Sequence, residues 1–133
     1  MPECEVLAPA GSLESLIAAI NCGADAVYVG GKKFSARQNA ANFDNEELKK
    51  AAVICHLHGV KIYLTVNTLI FDSQIKEFCE LICYAAECGI DAFIVQDVGA
   101  AEIIKNIIPD AHIHGSTQMT VHTVKGAELL KKL

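Results

Sequence analysis

Short apolar runs alternate along the chain with longer stretches in which apolar residues recur every three or four positions. Runs that are apolar throughout suit strands buried on both faces, and the longer periodic stretches suit amphipathic helices. This pattern predicts strands at Glu5–Pro9, Asp25–Gly30, Lys61–Val66, Asp91–Val95 and Ala111–Gly115. Helices are predicted at Ser12–Cys22, Asn45–His58, from an Asp72 or Ser73 cap to Cys88, at Gly99–Ile108 and from Thr123 to Leu133. Ser12 is suited to cap the first helix, and Gly23, Gly59 and Gly89 stand where a helix ends in a left-handed residue. The phrases Gly23-Ala-Asp25, Gly59-Val-Lys61 and Gly89-Ile-Asp91 recur at the same point of successive units, each leading from a helix into a strand.

Five βα units in succession imply a parallel sheet covered by helices. An open doubly wound sheet would bind a nucleotide through a Gly-rich first turn. The first turn here reads Pro9-Ala10-Gly11-Ser12, with neither G-x-G-x-x-G nor a P-loop. Polar residues instead follow every strand in turn, as where the strand-end loops of a closed barrel build one mouth. The fold class expected is therefore α/β: the first five βα units of a TIM-type (β/α) barrel, truncated. Such a barrel takes ~250 residues, so residues 1–133 are read as the N-terminal part of one barrel domain. Exposed edges in such a part predict self-association.

Composition narrows the function classes. Half the residues are hydrophobic (52%) and the net charge is −5, which fits a globular protein and argues against strong nucleic-acid binding by this segment alone. No apolar run reaches membrane-spanning length, and the first residues lack a basic, then apolar, leader pattern. The expectation is a cytoplasmic protein without a membrane partner.

The residues after the strands are mostly amides and hydroxyls with one guanidinium and one carboxylate: Arg37 after the second strand, Asn67 after the third, Gln96 and Asp97 after the fourth, Ser116 and Gln118 after the fifth. Arg37, Asn67, Gln96, Ser116 and Gln118 are the expected substrate-binding set, with Arg37 gripping a carboxylate or phosphate through its planar fork. Asp97 is the expected catalytic acid–base group, or else a cap for the helix that follows. Arg37 could alternatively pair with Asp44. His114 and Ser116 could form a hydrolytic pair, but no third orienting group is visible. The six cysteines include no C-x-x-C, so no metal is expected in this chain; Cys22, Cys55, Cys79 and Cys83 are expected to be buried, reduced core residues. His56 and His58 end a helix, where the macrodipole favours them.

The stretches Leu7-Ala-Pro-Ala-Gly-Ser12, Gly23-Ala-Asp-Ala-Val-Tyr-Val-Gly30, Phe34-Ser-Ala-Arg37 with Asn42-Phe43, Asn67-Thr-Leu69, Val95-Gln-Asp97 and His114-Gly-Ser-Thr-Gln-Met119 together resemble the N-terminal region of the collagenase-like peptidases, peptidase family U32. The resemblance spans essentially the whole chain. It implies a TIM-type barrel and one of two activities. One is oxygen-independent hydroxylation of a pyrimidine in tRNA or 23S rRNA, with prephenate implicated and an iron–sulfur cluster held by four downstream cysteines. The other is peptidase activity. It thus implies an RNA or prephenate-like partner for the full-length protein, and a chain that is inactive alone. The rim inventory offers binding groups without a proteolytic set, which favours the hydroxylase.

Overall fold

A computed structural model of the chain describes residues 4–37 and 42–132. Five strands, β1 (Leu7–Pro9), β2 (Ala26–Gly30), β3 (Lys61–Val66), β4 (Ala92–Val95) and β5 (His112–Gly115), form one sheet in sequential order, every neighbouring pair parallel. Between and after them come α1 (Leu13–Asn21), α2 (Asn45–Leu57), α3 (Ile75–Cys88), α4 (Val98–Ile107) and α5 (Val124–Leu130). The order excludes a doubly wound sheet, whose strand order reverses at a switch point. It is compatible with a segment of a (β/α) barrel wall.

Local chemistry sets the helix starts. Ser12 and Asp44 cap α1 and α2 in reciprocal capping boxes with Ser15 and Glu47. Asp97 caps α4 by accepting from the N–H groups of Gly99 and Ala100, and Thr123 caps α5. Gly89, at φ +82°, ends α3 in the left-handed region as expected. α3 itself starts at Ile75, behind a 3-10 turn over Asp72–Gln74. Neither Asp72 nor Ser73 caps it directly.

Side chains alternate across the strands, so each strand serves two faces. Val27, Val29, Ile62, Leu64, Val66, Phe93 and Val95 form the main core with Leu16, Leu48, Phe78, Ile82 and Ile104 of the helices. Parallel strands joined by right-handed crossovers in one direction carry all their helices on that side. The other face holds a smaller cluster: Ala26, Tyr63 and Ala92, flanked by Tyr28 and Ile94. The small Ala92 on β4 lets Tyr63 of β3 stack on His114 of β5, ring centroids 4.9 Å apart. Tyr63 also donates its hydroxyl to Glu5 at 2.6 Å, and Lys61 donates to the same carboxylate at 2.9 Å. Burial, then the Glu5 bond, raises the Tyr63 phenol well above its ordinary pKa.

The cysteine expectation needs correction. Cys55 is fully buried, and burial pushes its thiol up to about 11. Cys79 is half-buried, but Cys22 and Cys83 are exposed. The buried stripe of α3 runs through Phe78, Ile82 and Ala85, which turns Cys83 to solvent, and Cys22 is the C-cap of α1 rather than part of its buried face.

Candidate substrate site at the strand ends

The loops at the C-terminal ends of the strands are stitched to one another by hydrogen bonds. Ala10 N–H donates to the Tyr28 carbonyl (3.0 Å), joining the β1 end to β2. Phe43 N–H donates to the Gly30 carbonyl (2.9 Å), and Ala36 N–H donates to Asn67 Oδ1 (3.0 Å), so the β2–α2 loop is tied to both β2 and β3. Ile70 N–H donates to Asp97 Oδ2 (3.2 Å), linking the β3–α3 loop to the start of α4. Ser116 N–H donates to the Val95 carbonyl (2.8 Å), bringing the β5 end against β4. Such ties among the described residues favour pre-organisation of the loops for a ligand.

The expected binding residues lie in these linked loops, some with side-chain partners and some without. Arg37 is the sole arginine of the chain. Its side chain is exposed, its carbonyl accepts from Asn42 Nδ2 (2.8 Å), and its guanidinium makes no ion pair among the described residues. Asp44 pairs with Lys32 (3.7 Å) instead. Asn67 is half-buried; its Oδ1 is taken by Ala36, which fixes the planar amide and leaves Nδ2 without a partner among the described residues. Gln96 is half-buried and Gln118 exposed, and neither side-chain amide is bonded among the described residues. Ser116 Oγ accepts from Gln118 N–H (3.3 Å) at the head of a 3-10 turn over Thr117–Met119.

Asp97 differs from the others. Its Oδ1 accepts from Gly99 N–H (2.8 Å) and Ala100 N–H (3.3 Å), and its Oδ2 from Ile70 N–H (3.2 Å). As placed, this carboxylate is a helix cap and a clamp between two loops. The rim therefore offers mainly unused donors: a guanidinium and three side-chain amides. It suits an acceptor-rich ligand such as a carboxylate, a phosphate or the carbonyl edge of a base.

A hydrolytic pair is not assembled. Ser116 Oγ is bonded to Gln118, while the His114 ring lies on Tyr63. His56 pairs with Asp91 (3.0 Å) and His58 Nδ1 meets the Ile54 carbonyl (2.9 Å), both at the end of α2 away from the rim. Among the described residues no group of three His, Cys, Asp or Glu side chains could hold a metal. The cysteines of this chain do not fit an iron–sulfur cluster, being scattered over α1, α2, α3 and the start of the chain, with Cys55 sealed in the core. A surface cavity of about 570 Å³ lies between α2 and α3, floored by Phe34, Phe43, Leu48, Leu81 and Tyr84, apart from the rim amides.

The motifs give Arg37, Asn67 and the amides binding roles but assign none to Ser35 or Thr65, both buried. Their hydroxyls are 3.2 Å apart although 30 positions separate them in sequence. Nothing in local spacing announces such a pair. Its one signal is a hydroxyl in an otherwise apolar strand, Lys61-Ile-Tyr-Leu-Thr65-Val.

The sequence profile of peptidase family U32 matches residues 11–133. The chain belongs to peptidase family U32. It is 39% identical over 126 residues to a 23S rRNA 5-hydroxycytidine synthase of Escherichia coli, covering 95% of this chain and 19% of that protein. It is 44% identical over 118 residues to a collagenase of Porphyromonas gingivalis, covering 88% and 28%. It is 39% identical over 134 residues to tRNA hydroxylation protein P of Helicobacter pylori, covering 100% and 32%. The chain thus spans 19% to 32% of the length of these three relatives. A solved U32 peptidase shares the fold at 13% identity, with a TM-score of 0.76 over 98% of this chain and 55% of that one. No helix among the described residues is long and apolar enough to cross a membrane.

Proposed function

We propose that the full-length protein hydroxylates a pyrimidine in RNA, and that this chain supplies part of the substrate-binding rim. The observation that carries the reading is the rim itself: Arg37, Asn67, Gln96 and Gln118 present donors, while no nucleophile and base stand together among the described residues. Relatives named for tRNA and 23S rRNA hydroxylation, 32–39% identical, support the same choice. In this reading Arg37 anchors the carboxylate of a prephenate-like small molecule through its planar fork, and Asn67, Gln96, Ser116 and Gln118 bind the remaining acceptor groups. An iron–sulfur cluster would be supplied by cysteines outside this chain, since those within it do not fit one. Among the described residues Asp97 Oδ2 accepts only the Ile70 N–H (3.2 Å), which leaves a second lone pair on that oxygen to take up a proton. The protein works in the cytoplasm, where its RNA substrates are, and this chain alone is inactive because it carries only part of the pocket.

The peptidase reading is supported by the 44% identity to a collagenase. One comparison separates the two. Nucleosides from tRNA and ribosomal RNA of a deletion strain are measured by mass spectrometry, with complementation by wild type, Arg37→Lys or Asp97→Asn. Loss of a hydroxylated pyrimidine on deletion, restored by wild type and not by Arg37→Lys, is the expected result. Unchanged nucleosides together with gelatin cleavage by the purified full-length protein would establish the peptidase instead.

A further inference from the structure

Ser35 and Thr65 are buried polar residues, 3% and 7% exposed, under the loop that carries Arg37. Thr65 Oγ1 donates its single proton to the Val29 carbonyl (3.1 Å). The 3.2 Å contact between the two hydroxyls is therefore donated by Ser35. Gly30 makes room for this pair: a Cβ there would stand 2.7 Å from Ser35 Oγ. Just before Ser35, Phe34 sits at φ +60°, an uncommon conformation for a bulky side chain, with its ring edge-on to Phe78 of α3 at 5.4 Å. Just after it, Ala36 is bonded to Asn67, and the Arg37 carbonyl to Asn42. The main chain at Arg37 is thus fixed on both sides while its guanidinium stays exposed.

We infer that Ser35 and Thr65 are positioning residues: their buried hydroxyl pair holds residues 34–37 in the conformation that presents Arg37 to a small carboxylate at the rim. This rests on the reading of Arg37 as an anion anchor. Without the pair, Asn67 is the one remaining polar tie between residues 34–37 and the β3 end among the described residues, and a ligand must order this segment as it binds, which weakens affinity without removing any group that touches the ligand. Thr65→Val is nearly isosteric and removes only the hydroxyl, while Thr65→Ser keeps it.

The test uses the full-length protein, with malonate as the probe in calorimetric titrations, and hydrogen exchange read by mass spectrometry over residues 34–37. In the wild type the Ala36 amide is protected and malonate binds; Arg37→Ala loses binding and keeps the protection. Thr65→Val is expected to lose protection in this segment alone and to weaken malonate by about tenfold. Ser35→Ala is expected to match it, and Thr65→Ser to restore both readouts. The inference is overturned if Thr65→Val keeps wild-type protection and affinity, if Thr65→Ser is as impaired as Thr65→Val, or if protection is lost throughout the protein instead of in this loop. If malonate binding is absent or indifferent to Arg37→Ala, the anchor reading fails by itself, and local protection decides whether the pair positions the loop.

Discussion

Asp25 and Asp91 stand at the same place in two of the recurring Gly-x-x phrases, and each reaches sideways to the backbone at or just before an earlier strand. Asp25 Oδ2 accepts the Val6 N–H (2.7 Å), and Asp91 Oδ2 accepts the Ile62 N–H (2.8 Å) while pairing with His56 (3.0 Å). The carboxylates thus satisfy backbone donors at strand starts, where the ladder has no partner for them. In the third phrase the position is Lys61, which pairs with Glu5. The repeat was legible in the sequence as a helix end followed by a strand. Its carboxylates' purpose was not, because each partner lies 19 or 29 positions away. Asp91→Ala leaves the Ile62 N–H unsatisfied and is expected to lower stability by about 1–3 kcal/mol, measured by denaturant unfolding. Glu5 allows a pH prediction. The Tyr63 hydroxyl bond, followed by the Lys61 bond, holds its carboxyl below the usual value of 4.5. A carboxylate depressed in the folded state stabilises fully above its unfolded pKa, and that contribution is lost as pH falls through the folded value. The wild type should therefore lose stability on acidification below about 4.5 more steeply than Glu5→Gln, in thermal melts followed by circular dichroism. Parallel curves would show that the Glu5 contacts contribute nothing.

At the scale of elements, helix starts and strand order were open to reading because they are set locally. Ser12 caps α1 as its position suggested, and the alternation of strand and helix dictated a parallel sheet. Departures occur where a tertiary bond takes over. The first strand is Leu7–Pro9 rather than Glu5–Pro9: Val6 gives its N–H to Asp25, and Glu5 turns its side chain to Tyr63 and Lys61. The anchoring of the β2–α2 connection was not legible in the sequence, because it depends on Thr65 of β3 and on Asn67 just past that strand's end. Gly30 is the element's tightest point. Gly30→Ala would place a methyl 2.7 Å from Ser35 Oγ and 3.0 Å from Asn42 Oδ1, so the buried Ser35 hydroxyl would have to shift from its contact with Thr65. The expected cost is about 1–3 kcal/mol with release of the Arg37 loop. Gly31→Ala is a control, since its nearest heavy atom would lie 3.7 Å away. Equal stability of the two variants in urea unfolding would contradict this account of the loop.

For the molecule as a whole, the sheet has one face packed on helices and one that is not. The second face carries Tyr28, Tyr63, Ile94 and His114, and the sheet ends at β1 and β5, each with a single strand neighbour. An edge strand exposes a row of backbone donors and acceptors, a ready template for another chain. The two edges are unequal. Pro9 removes one donor from β1, whereas β5 has no proline and is exposed at His112, His114 and Gly115. The 133-residue chain, produced alone, is therefore expected to self-associate, with β5 as the stronger site. Sedimentation velocity over a hundredfold range of concentration should show a species heavier than one chain that grows with concentration. A lysine on an edge strand opposes pairing because joining two copies brings like charges together, so His112→Lys should weaken the association. Ile94→Asp, on the face rather than the edge, separates the two routes. If association survives His112→Lys but is lost in Ile94→Asp, copies meet face to face. A single-chain mass at every concentration would mean that the stitched rim and the Tyr63–His114 stack close this face well enough by themselves.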